Sequence, residues 1–189
     1  MGRFSMADMG DASLVLGMEK LRELARVMFK PSKAHMAVAI HLLRYLAGTT
    51  NSTITYKRGG FKLTAFSDSN WGNNPDSGKS ASFYIAFLSG DPVGFKVGLQ
   101  GLTAQSTMEA ELVAAAMTMK EAVFCSDMMK ELGFGSRFGH VSVYIDNTST
   151  IHVAGNQAYS PRVKHVALCF FFIEKLVKEG RTSIHYVKT

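Results

Sequence analysis

The chain has 189 residues, 47% hydrophobic and 19% charged, a balance ordinary for one globular domain with room for a proper core. No apolar run reaches the roughly 20 residues needed to span a bilayer; the longest candidate, residues 166–173, is far too short. The net charge of +6 is uneven, with +5 over residues 1–60, −3 over 61–159 and +4 over 160–189, so two basic ends flank an acidic middle. Such ends can follow a phosphate backbone, although modest basicity is equally the ordinary charge of a solvated surface.

In chain order, the first residues lack a basic-then-apolar leader pattern, because Asp8 and Asp11 interrupt it. Leu14, Leu16, Leu21 and Leu24 suit the apolar face of an N-terminal helix. The spacing predicts a helix over 33–46, with Ala34, Val38, Leu42 and Tyr45 on one stripe and Gly48 just past its end. Strands over 53–57 and 61–67 are expected to flank the Arg58-Gly59-Gly60 turn. Strands near 82–88 and 93–97 follow, joined around Gly90-Asp91-Pro92, and such a succession should pair antiparallel.

The longest predicted helix covers 107–132, with Leu112, Ala115, Met119, Ala122 and Met129 buried and Gly133 as its stop. A strand over 141–146, a short helix over 148–154, an amphipathic helix over 163–178 and a last strand over 182–187 complete an α/β layout. Cys125 and Cys169 fall in helical stretches without metal-ligand spacing and read as reduced thiols in or near the core. His35, His41, His140, His152 and His185 form no metal spacing either.

Three segments carry the chemistry: Phe66-Ser-Asp68-Ser-Asn-Trp71, Thr107-Met-Glu109-Ala-Glu111-Leu112 and Val143-Tyr-Ile-Asp146-Asn147. Taken singly, each carboxylate has an ordinary reading as a turn former or a helix cap. Taken together, two strand-end aspartates and one helix glutamate can converge, and buried like charges must share a proton or bind cations. Hard oxygen ligands suit magnesium or manganese, and two such ions roughly 3.5–4 Å apart form a clamp for displacement at phosphorus. Glu109 and Glu111 lie about 200° apart around a helix, so only one can enter the site.

The same segments, with Lys30-Pro-Ser-Lys-Ala-His35, Leu43-Arg-Tyr-Leu-Ala-Gly-Thr49, Ser160-Pro-Arg162-Val-Lys164-His165 and Ile184-His-Tyr-Val-Lys-Thr189, resemble the ribonuclease H domain of copia-type long-terminal-repeat retrotransposons. Several spaced motifs in the right order carry this resemblance through nearly the whole chain from Leu24 onward. It implies a ribonuclease H-like α/β fold, a mixed five-stranded sheet with flanking helices, and two-metal (Mg²⁺ or Mn²⁺) hydrolysis of the RNA strand of an RNA–DNA hybrid. It also implies catalytic and metal-ligand roles for Asp68, Glu111 and Asp146. Glu111 is chosen over Glu109 because it fits the family's Ala-Glu-Leu pattern, and Asp68 is expected to bridge both ions. Asn147, Arg162, Lys164 and His165 are nucleic-acid-binding candidates, although Val166-Ala167 departs from the Ile-Asp that usually follows the Lys-His pair.

Residues 3–18 resemble the end of the reverse transcriptase palm of the same polyprotein. The expected organisation is a reverse transcriptase remnant or N-terminal extension (1–23), an approach helix and connection (24–52) and a ribonuclease H-like domain (53–189). In the family a further segment ending in Leu-Ala-Asp supplies a fourth carboxylate and a last helix. Because the sequence stops at Thr189, the expectation is a C-terminally truncated domain without that helix, with catalysis weakened or lost. The resemblance points to an intracellular setting, cytoplasm or virus-like particle, and to the parent reverse transcriptase as a partner. The alternative is a catalytically dead remnant that binds nucleic acid or serves as an effector-like interaction protein. Some secreted oomycete RxLR effectors resemble this segment, but this chain has no Arg-x-Leu-Arg tetrad.

Overall fold

The computed structural model describes residues 24–25, 27–51, 53–148 and 164–188. The chain divides into two compact units between Thr55 and Tyr56. In the first unit the helix α1 spans Lys33–Gly48. Ser32 caps it reciprocally with His35: the Ser32 Oγ accepts from the His35 N–H at 3.3 Å, and His35 Nδ1 accepts from the Ser32 N–H at 3.1 Å. Gly48 is the last helical residue, and Thr49 caps the end. Of the expected stripe only Leu42 is buried, while Ala34, Val38 and Tyr45 are exposed. Among the described residues of this unit α1 is the only long element.

The second unit is a five-stranded sheet with helices. Its strands are β1 (Leu63–Asn70), β2 (Ala81–Leu88), β3 (Asp91–Leu99), β4 (Val141–Ile145) and β5 (Thr182–Tyr186), in spatial order β3-β2-β1-β4-β5. β1, β2 and β3 pair antiparallel, as their short connections require, and β4 joins β1 in parallel, as does β5 with β4. Pro92 stands on the edge strand β3, where a missing N–H is tolerated, and Val93 is bulged out between the pairs Ala86↔Gly94 and Phe87↔Pro92.

The strand expected over 53–57 does not form. The Lys57 N–H donates instead to Asp91 Oδ2 at 2.9 Å and the Tyr56 hydroxyl to the Pro92 carbonyl at 3.0 Å. Ile54 and Tyr56 are both exposed, so the β-favouring residues of this stretch gain no buried face.

Helix α2 (Thr107–Met129) lies between β3 and β4 in sequence, and α3 (Lys164–Lys178) between β4 and β5. Both pack on one face of the sheet. Leu112, Ala115, Met119 and Ala122 of α2 meet Leu63, Ala65, Val141, Val143 and Ile145 of the strands and Val166, Phe170, Ile173 and Leu176 of α3. Met129 is only half-buried, because regular α geometry ends there and a wider turn, Lys130–Phe134, follows. Gly133 lies inside that turn at φ 89°, a left-handed conformation that glycine adopts without strain. On the opposite sheet face Phe66 stacks on Tyr144 at 4.9 Å between ring centres. Cys125 and Cys169 are free thiols, and burial pushes both up from the usual range. The short helix expected over 148–154 lies outside the described residues apart from its first position.

Candidate metal centre

β1 and β4 run parallel with Ser67 beside Ile145, so Asp68 and Asp146 stand on neighbouring strands at the same end of the sheet. Asp146 follows the last residue of β4, whereas Asp68 lies inside β1, which pairs with β2 as far as Asn70 rather than ending at the aspartate. Glu111 comes from α2, which packs on β1. Ser106 sets the start of that helix by accepting the Glu109 N–H on its Oγ at 3.2 Å. Counted from this cap, Glu111 falls on the buried side with Leu112 and Ala115. Ligand oxygens of Asp68, Glu111 and Asp146 all lie within 4.8 Å of one another. Glu109 turns back to the helix start, where its Oε2 accepts the Gln105 N–H at 2.8 Å.

Glu111 is the most buried of the three, at 6% exposure. Its Oε1 accepts two hydrogen bonds from Ser69, from the backbone N–H at 3.2 Å and from the hydroxyl at 2.8 Å. Its Oε2 is buried and has no hydrogen-bond partner among the described residues. Burial pushes the Glu111 carboxyl up to about 7; the Ser69 bonds oppose that shift and the charges of Asp68 and Asp146 add to it. A buried carboxylate with one oxygen lacking a hydrogen-bond partner among the described residues, gathered with two more carboxylates, is a donor set suited to a hard divalent cation.

Trp71 stands just past β1, half exposed, with its indole N–H on the Ala104 carbonyl at 3.0 Å. Asn147 follows Asp146 and is half-buried. Lys164 and His165 open α3, their side chains outside the described set, and Arg162 and residues 1–23 also lie outside it. Sequence reasoning assigned no role to Ser69, although it lies inside the first motif, nor to Gln100, which sits in no motif. No helix among the described residues is long and apolar enough to cross a membrane.

No protein-family model matches the chain. It is 31% identical over 170 residues to the retrovirus-related Pol polyprotein from transposon RE1 of Arabidopsis thaliana, a match over 89% of this chain and 12% of that protein. The chain thus spans a small part of the polyproteins it matches. It is also 30% identical over 102 residues to the secreted RxLR effector protein 161 of Plasmopara viticola, covering 53% of this chain and 72% of the effector. Among solved structures, an RNase H1 isolated from compost by a metagenomic approach aligns with a TM-score of 0.50 at 15% identity, over 67% of this chain and 84% of that one. A foamy viral protease-reverse transcriptase in complex with double-stranded DNA aligns with a TM-score of 0.55 at 14% identity, over 90% and 34%. The identities make these structural likenesses evidence of fold alone. The chain belongs to the retrovirus-related Pol polyproteins of copia-type transposons, and its described sheet and helices carry the ribonuclease H-like fold.

Proposed function

We propose that residues 53–189 form a ribonuclease H domain in which Asp68, Glu111 and Asp146 hold Mg²⁺ or Mn²⁺ and the RNA strand of an RNA–DNA hybrid is hydrolysed. The observation that supports this most is the convergence of three carboxylates, one of which, Glu111, keeps a buried Oε2 with no hydrogen-bond partner among the described residues. Bound there, a divalent pair supplies a water of lowered pKa and charge neutralisation at phosphorus. The chain's own contribution is geometry: the parallel β1–β4 register brings the two aspartates to neighbouring strands, and Ser69 holds one oxygen of Glu111, leaving the other without a hydrogen-bond partner among the described residues. Asn147, Arg162, Lys164 and His165 flank this site in sequence and are proposed to contact the nucleic acid. The parent reverse transcriptase is the proposed partner and the cell interior the proposed setting.

A hybrid with a labelled RNA strand tests the reading. Mg²⁺- or Mn²⁺-dependent shortening of the RNA, absent in Asp68→Asn, is the expected outcome. Cleavage without a divalent cation, or undiminished in the variant, would assign the activity to another site.

The second reading, an interaction protein without catalysis, is favoured by the match to the effector over 72% of its length. Hybrid binding with no cleavage at any Mg²⁺ concentration would select a nucleic-acid-binding remnant. Neither binding nor cleavage would select the interaction role.

A further inference from the structure

Gln100, one residue past β3, is buried at 5% exposure and takes no part in any motif. Its Nε2 donates to the Ser82 Oγ at 2.9 Å and to the backbone carbonyl of Ala110 at 2.9 Å. The second partner fixes the orientation of the amide, because a backbone carbonyl only accepts and the nitrogen must face it. The Gln100 Oε1 is left buried and has no hydrogen-bond partner among the described residues. An unsatisfied amide oxygen is costly, so a residue needed only to fill this space would be served better by Met or Leu. The gain lies in the two donated bonds, which tie the first turn of α2 to β2 immediately before Glu111. Ser82 pairs in register with Ser69, and Ser69 grips Glu111 Oε1. Ser69 therefore ties Glu111 to β1, while Gln100 ties the neighbouring strand β2, at Ser82, to the peptide just before Glu111.

We infer that Gln100 is a positioning residue for the carboxylate centre: through Ser82 and the Ala110 carbonyl it fixes where α2 presents Glu111 to Asp68 and Asp146. The inference rests on the metal-site reading above. Outer partners that orient metal ligands typically change affinity by about tenfold or more when removed.

The test is a Mn²⁺ titration of the full chain by electron paramagnetic resonance, with a thermal melt alongside, on wild type and Gln100→Met, which keeps the volume and removes both donors. Mn²⁺ affinity should fall about tenfold, and Gln100→Glu, which keeps the shape without the N–H groups, should fail to restore it. Wild-type affinity in Gln100→Met would overturn the inference whatever happens to the melt. Should that variant not fold, Ser82→Ala removes one anchor of the amide, and unchanged affinity there overturns it equally. A wild-type chain that binds no Mn²⁺ overturns the metal reading and this inference with it, whereas binding that survives Gln100→Met overturns only the positioning role.

Discussion

Glu111 shows how one residue can carry a cost in one state and a function in another. Its folded carboxyl titrates at about 7 against an ordinary value of 4.5, so the folded chain binds the extra proton. Stability without metal is therefore unpenalised below about pH 4.5, declines between about 4.5 and 7, and carries the whole cost above about 7. That cost is of order 3 kcal/mol. Glu111→Gln should remove it: in metal-free buffer at pH 8 the variant should melt above wild type, with the difference shrinking towards pH 4.5. Urea unfolding at both pH values checks the sign, and a variant less stable than wild type at pH 8 would show that the charge is already compensated. The carboxylates were legible in the sequence because the strand pattern and the helix phase place them, although β1 runs two residues past Asp68; Ser69 and Gln100 were not assigned, since hydrogen bonds between separate elements leave no periodic trace.

Among the elements, α2 carries both the site and the core, and its cap and stripe can be tested separately. Met119 is fully buried between strands and α3. Met119→Ala should lower the unfolding free energy by about 2–5 kcal/mol, read by chemical denaturation. Ser106→Ala removes the oxygen that accepts the Glu109 N–H and should cost about 1 kcal/mol, and any weakening of Mn²⁺ binding beyond that would report a shift in helix phase. The sequence marks this helix well, because Ser106 and Gly133 bracket a 3.6-residue apolar period. Its regular part stops earlier than the period suggests, since regular α geometry ends at Met129 and the wider turn Lys130–Phe134, with Gly133 left-handed inside it, follows. The failed strand over 53–57 has the opposite lesson: β-branched residues favour extension, but side-chain anchors to Asp91 and Pro92 decide where that extended segment lies. The exposed stripe of α1 likewise shows that spacing reports a face, not what covers it.

For the whole molecule, the order β3-β2-β1-β4-β5 turns three motifs distant in sequence into one centre, and the family membership agrees with the resemblance carried by those motifs. The central claim is that this centre is a divalent-cation site. A melt at pH 8, where the Glu111 charge is least favourable to the metal-free fold, tests it directly on wild type and Asp68→Asn with and without Mg²⁺. A cation at a hundred times its dissociation constant stabilises by about 2.7 kcal/mol, which for a chain of this size raises the melting temperature by about 5–10 °C. The account predicts that rise in wild type and little or none in Asp68→Asn; equal rises in both, or none in either, would contradict it.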